Sequence, residues 1–353
     1  MMSDTMISRM ARPLIVGVAV IAALCSGASQ AAAQSQSQSQ SEIPRFIVPV
    51  DCQLGQDCWF MKYADTDPRP NQKQDYRCGH MVTDDHSGTD FAVTDMSRLA
   101  SGVGVLAAAD GEVMRIRTSM KDGPYRPEGP PEGAEERGCG NYVILHHGKG
   151  LNTHYCHLKW GSIVVKPGDK VRQGDQIALM GYTGLTAHPH LHFGVEMRGR
   201  VIDPMTGLFT DNLDPQRCRD QNDLHMWTQT MPYKRISLFN AGVSDGVPNI
   251  DQIRAGQGGS PTPSAESDAI VLWFDSFGIR RGDSISWRMV GPDGKSLVIN
   301  QDRQAPRTYA RYHAFEGLRR PPTGWGSGTY TAQITIKGRD GMQDSRRFSF
   351  KIR

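Results

Sequence analysis

Two short motifs, far apart in the sequence, carry the side chains best suited to do chemistry. Residues 86–90 read His-Ser-Gly-Thr-Asp and residues 190–192 read His-Leu-His. Imidazole and carboxylate groups are the ligands that Zn²⁺ takes in catalytic sites, and two histidines plus one carboxylate leave a fourth position for water. On a β-strand, side chains two residues apart point to the same face, so His190 and His192 can enter one cleft. Only one of the two is needed as a metal ligand. The spacing therefore predicts a hydrolytic rather than a structural metal site.

Further motifs between and around these two share short apolar stretches broken by glycine. They are Gly140–Gly148, His154–Leu158, Val165–Asp169, Val171–Asp175 and Gly181–Gly184. In this order, the set resembles the LytM/lysostaphin-type zinc metallopeptidases, a murein endopeptidase family with the duplicated-hybrid-motif fold. The resemblance covers about residues 80–205. One departure is His188, which stands where the family often has a small residue. This departure leaves the metal assignment intact but can alter the wall of the cleft.

The resemblance implies a role for five residues. His86, Asp90 and His192 match the three metal ligands, which implies one Zn²⁺ per chain, and His157 and His190 match the catalytic histidines beside the attacking water. A histidine near its ordinary pKa of about 6.5 can move a proton to the leaving amine.

Histidines outside these motifs are more typical of structural or surface positions. They are His80, His146, His147, His154, His188 and His225.

The first 33 residues are typical of a secretory signal peptide. Arg9 and Arg12 supply positive charge, Leu14–Leu24 is apolar but short for a membrane span, and Ala31–Ala33 offers a cleavage site. A lipoprotein acylated at Cys25 is the alternative, although Leu24 fits that motif poorly. Residues 34–41 form a Gln/Ser repeat that predicts a solvated tether. We therefore expect a periplasmic or secreted protein with no transmembrane segment in the mature chain.

Cysteine usage agrees with export. Apart from Cys25 the chain has an even set of cysteines, namely Cys52, Cys58, Cys78, Cys139, Cys156 and Cys218. An even number in an exported protein predicts disulfide bonds. Cys52 with Cys58 is the best local pair, and Cys139 and Cys156 flank a probable hairpin, which would leave Cys78 with Cys218. Other pairings remain open, and a cysteine-rich zinc site is the rival interpretation, although no Cys-x-x-Cys occurs.

Composition and patterning favour an all-β protein that does not bind nucleic acid. The net charge is only +3 over 353 residues, without a strong basic patch. Residues 42–80 resemble an irregular, disulfide-bearing lead-in. Residues 81–228, the expected zinc peptidase domain, carry many short strand patterns, which predict an antiparallel β-sheet core with an open groove. Residues 118–138, rich in glycine and proline, are expected to form an insertion at the rim of that groove.

A second domain is expected over residues 229–353. About seven short strand patterns with intervening turns predict a smaller β-sandwich, immunoglobulin-like in arrangement. It contains no cysteine and none of the five candidate site residues. Either packing or binding of a wall component or envelope protein is open to it.

The function expected from these features is an exported zinc endopeptidase that binds the peptide stems of peptidoglycan and cleaves their cross-links. A non-catalytic activator or scaffold for another wall hydrolase is the alternative, since proteins resembling this family can keep the fold and lose the metal. Here the ligand set is complete. A zinc peptidase acting on protein substrates is a second alternative. The bond cut, the oligomeric state, the ligand of the second domain and the mode of regulation are not predicted.

Overall fold

The computed structural model describes residues 43–130, 137–212, 218–219 and 224–353, and excludes the side chains of residues 298–302. The expected signal peptide and tether lie outside these residues, as does part of the expected insertion.

The part of the chain before residue 229, here called the N-terminal part, is built on antiparallel strands. In chain order they are β1 (Trp59–Lys62), β2 (Gly88–Ala92), β3 (Gly104–Leu106), β4 (Gly111–Arg117), β5 (Asn141–His146), β6 (Leu151–Leu158), β7 (Lys170–Val171), β8 (Gln176–Leu179), β9 (His190–Met197), β10 (Arg200–Asp203) and β11 (Leu208–Phe209). The main sheet has the order β1-β2-β9-β6-β5-β4-β7, with β10 beside β9 and β11 beside β10, while β3 and β8 pair separately. The all-β antiparallel fold predicted from the sequence is confirmed.

The hairpin at the centre of this sheet is explained by the glycine residues in its turn. Strands β5 and β6 form the predicted hairpin, and Gly148, Lys149 and Gly150 in its turn all have positive φ. Such backbone angles favour glycine. Strand β9 lies between β2 and β6, and β1, from the expected lead-in, pairs with β2 at the sheet edge. The two predicted histidine motifs are thereby brought onto neighbouring strands.

Helical structure is short among the described residues. Helix α1 (Met96–Ala100) begins at Asp95, whose carboxylate accepts hydrogen bonds from the backbone N–H groups of Ser97 and Arg98. Helix α2 (Ile250–Arg254) begins in the same way at Asn249. A 3₁₀ turn covers Thr210–Asn212. None of the helices in the described ranges is long and apolar enough to cross a membrane.

The strands that follow residue 236 form the two sheets of a β-sandwich, and residues 229–353 are here called the sandwich. Its strands are β12 (Ser237–Ser244), β13 (Ala269–Ile279), β14 (Ser284–Val290), β15 (Ser296–Gln304), β16 (Tyr309–Arg319), β17 (Gly328–Lys337) and β18 (Gln343–Ile352). One sheet has the order β12-β13-β16 and the other β15-β14-β17-β18. Apolar residues such as Phe274 and Trp287 fill the space between the sheets, with ring centroids 5.2 Å apart. The predicted sandwich is present, and an immunoglobulin-like relationship stays a prediction.

The sandwich and the N-terminal part share one apolar core. Phe239 of β12 and Phe277 of β13 stack at 4.2 Å and are buried in the same cluster as Phe60 and Phe91 of the main sheet. Residues from Pro44 to Arg353 accordingly form one compact unit. The sandwich therefore packs as part of the same body as the main sheet.

Three disulfides join the six cysteines of the described chain. The pairs are Cys52–Cys58, Cys78–Cys218 and Cys139–Cys156. These are the pairs that the sequence favoured among open alternatives, and the cysteine-rich zinc site is not formed.

Candidate metal centre and cleft

Three side chains from the two histidine motifs converge at one point. Strands β2 and β9 pair with Asp90 opposite His192, and His86 lies just before β2. Asp90 Oδ1 is 3.0 Å from His86 Nε2 and 2.9 Å from His192 Nδ1, and these two nitrogens are 3.1 Å apart. This clustering fits a metal-binding set of two histidines and one carboxylate.

The carboxylate of this cluster is buried and has only histidines for charge partners. Asp90 is 1% exposed. Burial by itself raises the pKa of a carboxyl group, but the charges and hydrogen bonds of His86, His190 and His192 hold the pKa of Asp90 well below its usual range. Within the described residues, every ion pair of Asp90 is to a histidine. A buried anion of this kind is well placed to receive a cation.

A backbone carbonyl group fixes the orientation of the His86 ring. Its Nδ1 lies 2.7 Å from the carbonyl oxygen of Tyr63. Since a carbonyl only accepts, Nδ1 carries the proton and Nε2 presents a lone pair toward Asp90 and His192. This is the usual arrangement for a metal-ligating histidine, whose other ring nitrogen donates to a fixed acceptor.

His157 and His190 form a second pair beside the three donors. Their ring centroids are 4.5 Å apart. His157 Nδ1 donates to the carbonyl oxygen of Thr183 at 2.8 Å, and His190 Nδ1 donates to that of His188 at 2.7 Å. Each ring therefore keeps an unprotonated Nε2, and that of His190 is 3.7 Å from Asp90 Oδ2.

Burial keeps this second pair neutral. It lowers the pKa of His157 well below its ordinary value, and it lowers the pKa of His190 to about 4. The neighbouring His190 and His192 add to the effect at His157. Both rings are therefore proton acceptors at neutral pH.

The backbone at His157 departs from the regular strand that its sequence predicts. Its φ is +61°, and the pairing of β5 with β6 shifts register at this point. A non-glycine residue in this left-handed region costs on the order of 1–3 kcal/mol and is typical of functional sites. The backbone N–H of His157 donates to the carbonyl of Cys139 at 2.8 Å, next to the Cys139–Cys156 disulfide. A β-bulge, rather than strand alternation alone, thus directs His157 to the cleft.

Glycine is required close to this bulge. Gly140 has a φ of +61°, and a Cβ placed on it would lie 2.3 Å from the carbonyl oxygen of Thr183. Thr183 is the residue whose carbonyl orients His157. Gly140 therefore permits the close approach of the two segments that hold this ring.

The five candidate residues line a single cleft of about 600 Å³. Phe277, Ala310 and Arg311 of the sandwich line it as well. The sequence placed none of the five candidate residues in the sandwich, and the structure adds these three sandwich residues to the wall of the cleft. Nothing in the local sequence around these three residues marks them, since they reach the cleft only through the packing of two distant parts of the chain.

His188 links the site to the sandwich. It is 4% exposed, its Nε2 donates to the carbonyl of Val93 at 2.7 Å, and its ring packs edge-on against Phe239 and Phe277 at 5.2 and 5.3 Å. Its carbonyl accepts the hydrogen bond that orients His190. The sequence predicted that His188 can alter the cleft wall, and the structure places it among the residues that line the cleft.

Three other histidines have partners that are not among the five candidate residues. His147 Nδ1 donates to the carbonyl of Asp110, and His146 Nδ1 is 2.9 Å from Asn152 Oδ1. His154 lies in the lining, 3.5 Å from Glu196.

Part of the N-terminal part is similar to known proteins. The family model for Peptidase family M23 matches residues 84–204. Peptidoglycan DD-endopeptidase ShyA of Vibrio cholerae serotype O1 is 35% identical over 150 residues, covering 41% of this chain and 29% of the relative. Peptidoglycan DD-endopeptidase ShyB of the same organism is 37% identical over 120 residues, covering 34% and 22%. The matched region thus spans less than a third of these curated relatives.

A solved structure is also similar in part. The crystal structure of a zinc-containing peptidase from Vibrio cholerae is 28% identical, covers 44% of this chain and 39% of that chain, and has a TM-score of 0.26.

Proposed function

We propose that this chain, whose residues 84–204 form an M23 peptidase domain, is an exported zinc-dependent endopeptidase that cleaves the peptide cross-links of peptidoglycan. The observation that carries the proposal is the convergence of two groups in one cleft. One group is the cluster of His86, Asp90 and His192, and the other is the neutral pair His157 and His190. The names of the related endopeptidases support the substrate class.

The proposed metal ligands suit zinc by their chemistry. His86 and His192 offer nitrogen and Asp90 offers oxygen, which is the donor set of catalytic zinc sites. Asp90 is buried, and among the described residues no lysine or arginine forms an ion pair with it, which favours a divalent cation. One Zn²⁺ bound there supplies Lewis acidity, which polarises a carbonyl group and brings the pKa of a water molecule to about 7.

The proposed catalytic residues transfer a proton from the attacking water to the leaving amine. As the C–O bond to water forms, Nε2 of His157 or His190 accepts the proton from that water. The same imidazole, now protonated, donates to the amine nitrogen as the C–N bond breaks. The carbonyl groups of Thr183 and His188 hold both rings in place through this cycle, because they accept from Nδ1 throughout. Burial of both rings excludes bulk water from the proton transfer.

The cell envelope is the proposed location. The three disulfides are stable in an oxidising compartment, which is where peptidoglycan lies in the periplasm or at the cell surface. The completeness of the proposed ligand set counts against a purely non-catalytic activator.

Digestion of purified sacculi tests the proposed function. Mass spectrometry of the muropeptides is expected to show cross-linked dimers converted to monomers, with activity lost to a chelator and restored by Zn²⁺. Casein serves as the control substrate. Cleavage of casein with sacculi left intact would favour a protein-directed peptidase instead. Degradation of sacculi only in the presence of a second, added hydrolase would favour an activator.

A further inference from the structure

One wall of the cleft comes from a pair of facing residues in the sandwich. Phe277 of β13 and Arg311 of β16 are partners in the strand pairing, and both line the cleft. Phe277 also packs on His188, whose carbonyl orients His190. Arg311 therefore lies on the wall that adjoins the proposed catalytic pair.

Arg311 belongs to a buried cluster with an excess of positive charge. Its Nε and Nη2 donate to the Asp275 carboxylate at 3.1 and 2.7 Å, and Arg254 donates to the same carboxylate at 2.8 and 3.0 Å. Asp275 is 1% exposed. Two guanidinium groups thus share one carboxylate, which leaves one positive charge without a balancing anion inside this cluster.

The guanidinium of Arg311 is held in one orientation. Two of its nitrogens are bound to Asp275, and its central carbon lies 5.4 Å from the ring centroid of Phe239. In the described part of the chain, Nη1 of Arg311 has no hydrogen-bond acceptor. Of the two arginines in the cluster, Arg311 lines the cleft and Arg254 does not.

The charged side chains near the two ends of β9 differ in sign. The other charged side chains in the lining, apart from the proposed metal site, are Lys62, Asp85 and Glu196. Glu196 lies toward the far end of β9 from His190, near His154. A ligand with a carboxylate is therefore favoured at the His188 end of β9, where Arg311 stands, and disfavoured at the Glu196 end.

We propose that Arg311 forms a carboxylate-binding subsite in the cleft and that the sandwich thereby sets part of the substrate specificity. The planar guanidinium suits a carboxylate because it donates from fixed, parallel N–H groups. The ligand class is a peptide that carries a free carboxylate on the side of the scissile bond nearer His188. This inference rests on the proposed peptidase function.

Two synthetic cross-linked stem-peptide dimers test the subsite. One carries free carboxylates and the other has them converted to carboxamides. The wild-type protein is expected to cleave the carboxylate form with a kcat/KM about 10- to 100-fold higher, the usual scale for a charge-assisted hydrogen bond. Arg311→Met is expected to abolish this preference, mainly through KM, and Arg311→Lys to retain part of it.

Arg254→Met is the matched control. It removes the other guanidinium from Asp275 but leaves the cleft lining unchanged. It is expected to match Arg311→Met in melting temperature and to keep a clear part of the preference for the carboxylate substrate, because the cluster loses its excess charge but Arg311 still lines the cleft. Loss of the preference in both variants, or no preference in the wild-type protein, would overturn the inference and leave the peptidase function intact. The wild-type comparison holds even if Arg311→Met does not fold. Failure of the wild-type protein to cleave either dimer would remove the proposed function and this inference together.

Discussion

At the scale of single residues, main-chain oxygens orient the histidines of the cleft. Tyr63, Thr183 and His188 each accept a hydrogen bond at Nδ1 of one ring, so that Nε2 faces the cleft. A fixed acceptor of this kind sets the tautomer and raises the basicity of the opposite nitrogen. Because the acceptors are backbone atoms, almost any residue type can supply them, and the sequence gives no sign of them.

Removing a proposed proton carrier is expected to separate catalysis from metal binding. His157→Ala and His190→Ala should keep zinc and lose about 10²–10⁴ in rate, the usual contribution of a general acid or base. The measurement is kcat on a soluble cross-linked peptide, together with zinc content by atomic absorption. His146→Ala, which alters a histidine outside the cleft lining, is the control and should retain activity. A wild-type rate in either site variant would exclude the role proposed for that residue.

Sequence reasoning located the donor groups of the site but not its walls. The spacing of His-x3-Asp and His-x-His predicted side chains that share a cleft, and the pairing of Asp90 with His192 on β2 and β9 brings them together. Strand periodicity cannot foresee the positive φ of His157, because a bulge depends on the neighbouring strand. Nor can it foresee Arg311, which reaches the cleft only through tertiary packing.

At the scale of elements, the Cys139–Cys156 disulfide stabilises the β-bulge at His157. Cys156 precedes His157 in the chain, and the Cys139 carbonyl accepts from the His157 backbone N–H. Both cysteines line the cleft. The hairpin pattern around Gly148–Gly150 favoured an approach of these cysteines while other pairings stayed open. Their effect on His157 follows from the bulge and was not predictable.

Removing this disulfide is expected to lower activity beyond its cost in stability. The double variant Cys139→Ser/Cys156→Ser should lose roughly 2–5 kcal/mol of unfolding free energy and should also show a reduced kcat at full zinc occupancy. Urea unfolding and steady-state kinetics below the unfolding transition provide the two values. Cys52→Ser/Cys58→Ser removes a disulfide that does not line the cleft, so it should keep kcat. Equal kcat values in the two double variants would mean that the Cys139–Cys156 bond has no role in positioning His157.

At the scale of the whole molecule, the sandwich is joined to the main sheet by apolar and charged contacts. Phe239 and Phe277 enter the core of the N-terminal part, and Arg280 of the sandwich donates from Nε to Nδ1 of His80 at 3.0 Å. Both cores use the same alternation of apolar and polar residues. The sequence therefore predicted two β regions correctly, but the pattern cannot show that some apolar side chains of one region are buried in the other.

A chain ending at Pro232 is expected to be less stable than the full chain. The cut would expose the surface of the N-terminal part that packs on Phe239 and Phe277, including His188. Thermal unfolding followed by circular dichroism should show a lower melting temperature and a broader transition. A sharp transition at the full-length melting temperature would show that the shared core contributes little.

Mild acid is expected to weaken the contact between the two parts at His80. Burial, with the charges of Arg280 and Arg235, lowers the pKa of His80 to about 4, and Arg280 Nε donates to its Nδ1 at 3.0 Å. The unfolded chain has a histidine pKa of about 6.5 and binds the proton more tightly. The stabilisation is thus present above pH 6.5 and is lost as the pH falls toward 4. Urea unfolding at pH 7.5 and pH 5 should show a smaller pH dependence in His80→Gln than in the wild type, and an unchanged dependence would exclude the effect.

The central claim is that His86, Asp90 and His192 bind a catalytic zinc ion. The most direct test is the zinc content of purified His192→Ala, measured beside the wild-type protein and His190→Ala after all three are shown by circular dichroism to be folded. We expect about one zinc per chain in the wild type and in His190→Ala, and almost none in His192→Ala, because only the last substitution removes a ligand. Full zinc occupancy in folded His192→Ala would contradict the account.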